Sequence, residues 1–265
     1  MDWSKIKTIF ILAFLVLNLY LMYEFFNLRN ARQYELKTET SFPKQLQEDG
    51  ITYPKQLKGE IKAPYLTAKP KTITVDELKT LQANILKGQT ITIVDEHVIQ
   101  AVLDQPIKIS TPFKSSSLNE FMLNHILNSD QYRFWEKSKD SNTITYYQHY
   151  HDKVFFKNSN AELIFYLNED NEIFSYRQTI LENIKELPVD ERIIDPMSAI
   201  ESLYKNNALK PKIKITDVET GYFTLKSQVL TPAWRVEIND KQNLFVNAFD
   251  GKIIELNKDE KKIVE

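Results

Sequence analysis

The chain has 265 residues, a formal net charge of −2 and no cysteine. The lack of cysteine excludes disulfides, thiol catalysis and thiolate metal sites. The near-neutral charge, without a basic stripe, argues against a nucleic-acid-binding protein. The low content of 5 glycines leaves no Gly-rich phosphate loop, and the 13 tyrosines and 15 phenylalanines are typical of a β-rich core.

Residues 6–26, IKTIFILAFLVLNLYLMYEFF, form the longest apolar run of the sequence. From Ile9 to Tyr23 the run carries no charge, and Asn18 is its one amide side chain. At a helical rise of about 1.5 Å per residue, residues 6–23 would span roughly 27 Å, close to the hydrocarbon thickness of a bilayer. The run therefore predicts a transmembrane helix, with the rest of the chain on one side of the membrane.

Lys5 and Lys7 lie directly before the apolar run, and this favours a cytoplasmic N-terminus. Arg29 and Arg32 follow the run and weaken the charge asymmetry. The alternative is a cleaved signal peptide, but bulky residues end the run and no Ala-x-Ala site follows it. We expect an uncleaved anchor with residues 1–5 in the cytoplasm, a tail too short to signal by itself, and an extracellular C-terminal part.

The sequence after the anchor predicts an α+β fold of helix-plus-antiparallel-sheet modules. We expect a polar stalk or linker over 27–42, a small α/β module over 43–112, a central module over 113–186 and a C-terminal module over 187–260. Within the first module, 61–66 is predicted as a short strand that Pro64 places at a sheet edge.

Each module has its own predicted helix start. Thr74 with Glu77, and Ser117 with Glu120, have the spacing of a capping box. Asp195-Pro196 combines a cap residue with proline at the first helical position.

Strands are predicted to follow each helix. Their ranges are 90–94, 98–103, 132–135, 143–150, 154–156, 163–167, 173–180, 212–218, 222–228, 233–238, 244–248 and 252–256. Asp250-Gly251 is the best hairpin signal of the chain. A shift of about 80 residues places Asp170-Asn171 over this pair, and the same turn is plausible in both because Asn and Gly tolerate positive φ. The second and third modules therefore resemble each other.

The histidines and paired carboxylates are the candidate chemical groups. His149 and His151 would face the same side of a strand and could hold a metal if a carboxylate joined them, or simply face water. His125 falls on an apolar helix stripe and is interpreted as a core or interface residue, and His97 as a solvated turn residue.

The pairs Glu169-Asp170 and Asp190-Glu191 lie in predicted turns, where nothing indicates the burial that acid–base catalysis needs. Ser115, Ser116 and Ser117 are interpreted as a helix cap rather than as nucleophiles. We expect no enzyme, no metal and no cofactor.

Asn18 is the polar residue of the anchor with the best functional case, because a membrane-buried amide can bond to a neighbouring helix. Its helical neighbours define one predicted partner-helix contact face, consisting of Ile11, Phe14, Leu15, Asn18, Leu21, Met22 and Phe25. The alternative is that Asn18 faces lipid.

The opening MDWSKIKTIFILAFLVLNLYL resembles the N-terminus of the YycI (WalI) family. The ending TPAWRVEIND…NLFVNAFDGKIIE resembles the PepSY-like ending of the YycH/YycI group through Trp234 and Asp250-Gly251. Members are single-pass membrane proteins of low-GC Gram-positive bacteria. The resemblance implies a partner of YycH that associates with the sensor histidine kinase WalK (YycG). It also implies an influence on the response regulator WalR (YycF), which controls cell-wall metabolism.

The resemblance carries over no catalytic residues. Together with the anchor, it predicts a non-enzymatic regulator whose extracellular domain pairs with YycH and whose transmembrane helix contacts those of WalK. Two alternatives stay open: a PepSY-like module that inhibits a surface peptidase, and one that binds peptidoglycan.

Overall fold

The computed structural model describes residues 3–35, 41–57, 62–84, 86–188, 192–226 and 229–255. The chain divides into two units, Met1–Thr52 and Tyr53–Glu265. The first unit contains helix α1 (Trp3–Glu35) and the short helix α2 (Phe42–Glu48). Helix α2 was not predicted, although Pro43 lies in its first turn, where the missing N–H of proline costs nothing.

The second unit is a mixed α+β structure with helices α3 (Val75–Asn84), α4 (Asn119–His125) and α5 (Pro196–Lys205). Short 3-10 turns cover Ser115–Leu118 and Ser129–Gln131. The strands, in chain order, are β1 (Tyr65–Pro70), β2 (Gln89–Val94), β3 (Val98–Lys108), β4 (Tyr132–Ser138), β5 (Thr143–Tyr150), β6 (Lys153–Phe156), β7 (Glu162–Leu167), β8 (Glu172–Thr179), β9 (Leu181–Leu187), β10 (Ile215–Lys226), β11 (Val229–Ile238), β12 (Gln242–Asn247) and β13 (Ile253–Ile254).

These strands form one continuous, largely antiparallel sheet in the described part of the chain. Its main path runs β13-β12-β11-β10-β6-β5-β7-β8-β3-β2. Strand β4 pairs with β5, and β1 pairs with both β9 and β11. The pair β6–β10 is parallel. The α+β fold with a large antiparallel sheet confirms the coarse prediction.

Two strand predictions were wrong and one strand was missed. Strand β10 is continuous through Gly221, where the sequence predicted a break between two strands. Strand β1 is paired along both sides, so Pro64 precedes an internal strand and not an edge. Strand β9 was not predicted, because its residues after Leu181 are exposed or half-buried and lack the apolar alternation of a strand.

The helix starts differ in how far their caps form. The Thr74 hydroxyl accepts from Glu77 N at 3.3 Å, but the Glu77 carboxylate pairs with Lys71 and leaves the capping box half formed. Ser117 does not cap a helix as predicted, since its hydroxyl donates to Lys114 O at 2.7 Å within the 3-10 turn. The Asp195 cap is confirmed, with Oδ1 accepting from Met197 N and Ser198 N at 2.9 and 3.0 Å.

Chain reversals at the two predicted turns are confirmed, but their hydrogen bonds differ: Asn171 N donates to Asn168 O, three residues back, and Gly251 N donates to Asn247 O, four residues back. Asn171, between β7 and β8, has φ 58°, and Gly251, between β12 and β13, has φ 70°. Both turns reverse the chain between antiparallel strands. The module boundaries stay a prediction, and parts of the predicted stalk (36–40) and of the C-terminal module (256–260) lie outside the described residues.

Strand β6 joins two groups of strands and places an aromatic ring on each of its faces. Because side chains alternate along a strand, Phe155 and Phe156 lie in separate core clusters. Phe155 packs with Tyr222, and Phe156 packs with Phe245, whose ring centroid is 5.3 Å away. Gly221 of β10 lies directly against the Phe156 ring, and a Cβ there would also come within 2.5 Å of Val154 O.

We predict that Gly221→Ala lowers the free energy of unfolding by about 1–3 kcal/mol, because the added methyl overpacks a core in which Phe156 is 1% exposed. Urea denaturation of the full chain would measure the change. Gly88→Ala gives a comparison without overpacking, since nothing lies within 4 Å of its Cβ and any loss of stability there comes from its φ of +74°. Wild-type stability of Gly221→Ala would contradict the prediction.

We predict that Asp195→Ala costs about 1 kcal/mol of stability at neutral pH through loss of the α5 cap. A hydrogen bond from Ser198 Oγ, with backbone donors, lowers the pKa of Asp195 from its ordinary 3.8. The stabilisation from ionised Asp195 is therefore complete above that value and is lost as the pH falls through the lower folded-state pKa. Asp195→Asn, which keeps a capping side chain, is the control. A difference between wild type and Asp195→Ala that persists unchanged in acid would contradict the assignment.

Candidate functional site

Helix α1 exposes large apolar side chains from Phe10 to Tyr23. From Phe10 to Tyr23 the large apolar residues described as exposed are between 48% and 70% accessible. Exposed apolar surface of this extent marks an interaction site for lipid or protein. In the part of the chain that the structure describes, no helix is both long and apolar enough to cross a membrane.

The predicted partner-helix contact face lies on α1. The residues of this face recur at intervals of three and four, so they share one side of the helix. Asn18 is exposed among them. The side chain of Phe25 lies outside the described set. The contact with a partner helix stays a prediction.

A cleft in the second unit has a volume of about 500 Å³. We call it the β9 cleft, because it lies beside the beginning of that strand. Its charged and polar lining includes Lys71, Asn128, Asp130, Gln131, His149, His151, Glu182 and Asn183.

His149 and His151 both line the β9 cleft, but not in the way the sequence predicted. Strand β5 ends at Tyr150, and His151 has φ 47° in the turn that leads to β6. The two histidines are therefore not alternate residues of one strand. Among the described residues no group of three potential ligands could hold a metal ion. His149 Nδ1 is buried and has no hydrogen-bond partner within the described part of the chain.

Lys71 is held at the cleft by two carboxylates. Its Nζ lies 2.9 Å from Glu77 Oε1 and 3.6 Å from Glu182 Oε2. The hydrogen bond to Glu77 outweighs partial burial and raises the pKa of Lys71. The ammonium charge is thus already compensated within the protein.

The remaining sequence candidates are separate from this cleft. His125 packs against Phe121, with ring centroids 4.9 Å apart, in agreement with a core or interface role. His97 is not simply solvated as predicted, because its Nδ1 lies 3.2 Å from Lys71 O. Glu169 and Asp170 are exposed in the β7–β8 turn. Asp190 and Glu191 lie outside the described residues.

Buried glutamines, which the sequence analysis missed, fix the cleft wall. Gln148 Nε2 donates to Leu181 O and to Gln131 Oε1 at 2.8 and 2.9 Å, and its Oε1 accepts from Leu181 N at 2.8 Å. Gln178 donates to Leu127 O, and Gln89 donates to His125 O. The available signal was a glutamine within β5, a strand rich in β-branched and aromatic residues.

The family model that matches this chain is described as "YycI protein" and matches residues 30–249. The chain belongs to the YycI family. This is a regulatory family associated with the WalK two-component system, and not an enzyme family.

A search of curated proteins gives no match to this YycI-family chain. Among solved structures, the chain is similar to the "Bacillus megaterium YpeB C-terminal domain". That similarity has 14% sequence identity and a TM-score of 0.44, and covers 71% of this chain and 99% of the other.

We predict that Gln148→Leu lowers the free energy of unfolding by about 2–4 kcal/mol, because the buried N–H and C=O of Leu181 lose their partners. Urea denaturation would measure the loss. Gln100→Leu makes the same chemical change at an exposed position of β3 and should alter stability by less than about 0.5 kcal/mol. Equal losses of stability in the two variants would contradict a stabilising role for the bonds between Gln148 and the Leu181 backbone.

Proposed function

We propose that this YycI-family chain is a single-pass membrane protein that regulates WalK through lateral contacts of α1. The observation that carries the proposal is the row of exposed large apolar side chains on a 33-residue helix. Water is a poor solvent for such a surface, whereas lipid and the apolar helices of another membrane protein both match it.

In this proposal residues 6–26 cross the cell membrane. Lys5 and Lys7 lie on the cytoplasmic side, and the part of the chain after the span is extracellular. The extracellular part associates with a YycH-like protein as a heterodimer. The protein has no catalytic role, and the output of the system that it tunes is cell-wall metabolism.

Regulation then arises from unequal contacts of α1 with two states of the kinase. A bound helix shifts an equilibrium only by the difference between its affinities for the two states. Asn18 supports such a difference, because its amide can bond to a neighbouring helix in one arrangement and lose that bond in another. Such bonds are worth about 0.6–2 kcal/mol, which corresponds to a change of about 3- to 30-fold in an equilibrium constant.

We predict that replacing residues 6–26 of the full chain by an unrelated transmembrane helix abolishes its effect on a WalR-dependent reporter. A fusion of residues 1–30 to an inert extracellular domain should keep a measurable part of that effect. Immunoblots of membrane fractions would verify equal insertion. Full function of the chain with the foreign anchor, together with no effect of the fusion, would refute the helix-contact proposal.

Substitutions within α1 test the contact face more finely. Asn18→Leu and Leu21→Ala should each change reporter output by about threefold or more, as expected for loss of one helix contact. Val16→Ala is the control, because Val16 lies about 160° around the helix from Asn18, away from the contact face. Equal responses at Val16 and Leu21 would place the contact elsewhere.

A further inference from the structure

A second cleft of the second unit is lined by residues of helix α4 and strand β4, and we call it the α4 cleft. Its volume of about 460 Å³ lies in the range of ligand sites. Helix α4 supplies the apolar side chains of Met122 and Leu123, and β4 supplies residues 132–134. The other residues that line the cleft are Ser115, Asn119, Ser129, Asp130 and Tyr146.

The hydroxyl of Tyr146 is buried without a hydrogen-bond partner in the described part of the chain, and the residue is 3% exposed. Other tyrosines of the same core cluster do make such a bond. Tyr132 O–H donates to Thr179 O at 2.6 Å, and Tyr176 O–H donates to His125 O at 3.4 Å. Burial raises the pKa of Tyr146 to about 12, so its hydroxyl keeps its proton and stays a donor. Because buried polar groups are nearly always paired, an acceptor that enters the cleft would supply the missing partner.

Strand β4 presents a free edge at the same cleft. Among the described strands it pairs only with β5. The register of that pairing shifts between Phe134 and Glu136, and irregularities of this kind end or redirect pairing along a sheet edge. The regular part of the edge is therefore residues 132–134, and all three line the α4 cleft.

The charges around the cleft favour an uncharged ligand. Arg133 pairs across the sheet with Tyr147 of a different core cluster, and its guanidinium bonds there to Glu219 at 2.6 Å. The other charged residue of the lining, Asp130, is exposed to water. Leu123 is an apolar side chain that is 70% exposed at the cleft, a surface that an apolar ligand would remove from water.

We propose that the α4 cleft binds an extended, uncharged peptide segment of a partner protein, which pairs with residues 132–134 of β4 and covers Leu123 with an apolar side chain. A carbonyl oxygen of the peptide accepts the hydrogen bond from Tyr146 O–H. In this mode of recognition the backbone bonds to the free edge give affinity, and the pocket beside the edge selects the side chain. The site goes beyond the regulation of WalK and does not depend on the contacts of α1.

Calorimetric titration of the purified full chain tests the site. The probe is the peptide acetyl-Ser-Thr-Leu-Thr-Ser-amide. Its matched control has serine in place of leucine, which keeps the backbone and removes the apolar side chain. We expect the leucine probe to bind about tenfold more tightly or better, as for burial of one leucine side chain.

Variants of the chain provide matched comparisons. Leu123→Ser should weaken binding of the leucine probe by about tenfold or more. Leu187→Ser makes the same change at an exposed position of β9 away from the cleft and should leave binding unchanged. Tyr146→Phe removes only the hydroxyl and should weaken binding by about three- to tenfold, the range expected for one hydrogen bond. Since that hydroxyl has no partner among the described residues, Tyr146→Phe should keep at least the thermal stability of the wild type.

Four outcomes would overturn the proposal. The first two are equal affinity for the two peptides and no detectable binding of the leucine probe. The third is wild-type affinity in Leu123→Ser or in Tyr146→Phe. The fourth is equally tight binding of acetyl-leucine-amide, which is too short to pair along a strand edge and would make the cleft a small-molecule site.

A second copy of the chain is the competing macromolecular occupant. Self-association of the full chain that Leu123→Ser abolishes and Leu187→Ser preserves would assign the cleft to that copy and overturn the proposal. The comparison of peptides on the wild-type chain needs no substitution, so it stands even if a variant does not fold. Because the titration contains no kinase, its result is also independent of the WalR reporter measurements.

Discussion

The parallel contact between β6 and β10 is the constraint on which the sheet depends. Strand β6 pairs with β5 on one side and with β10 on the other, so it joins the central strands to the C-terminal ones. Parallel strands cannot be joined by a tight turn, so this pair depends on side-chain packing rather than on a local hairpin. Phe155 and Phe156 supply that packing on opposite faces, and Gly221 allows the backbone of β10 to approach the second ring. The continuous sheet therefore depends on the contact between Gly221 of β10 and the Phe156 ring of β6.

The wall of the β9 cleft depends on a second constraint, the satisfaction of buried backbone groups. The segment from His125 to Gln131 lies between helix α4 and strand β4 and has little regular backbone pairing of its own. Gln89 of β2 and Gln178 of β8 donate to the backbone carbonyls of His125 and Leu127 instead, and Gln148 of β5 donates to the side chain of Gln131. A backbone carbonyl buried without a partner costs free energy comparable to a lost hydrogen bond, so the glutamines that donate to these carbonyls stabilise the observed conformation of the segment. A polar cleft can consequently form next to an apolar core.

Local sequence signals predicted the local parts of this structure. Asp195-Pro196 gave the start of α5, and the turns at Asn171 and Gly251 followed from residues that tolerate positive φ. Errors occurred where a distant contact decides the conformation. Gly221 suggests a break until Phe156 is known to lie against it, and Pro64 suggests an edge until β9 and β11 are known to flank β1.

The same distinction applies to the candidate sites. The apolar run of α1 is contiguous in sequence, so its exposed apolar surface was predictable from hydropathy. The β9 cleft was not predictable, because Lys71, Asp130, His149 and Glu182 come from four segments that only the tertiary fold brings together. The pair His149 and His151 was noticed for a strand geometry that does not exist, since the turn after Tyr150 changes the direction of the second side chain.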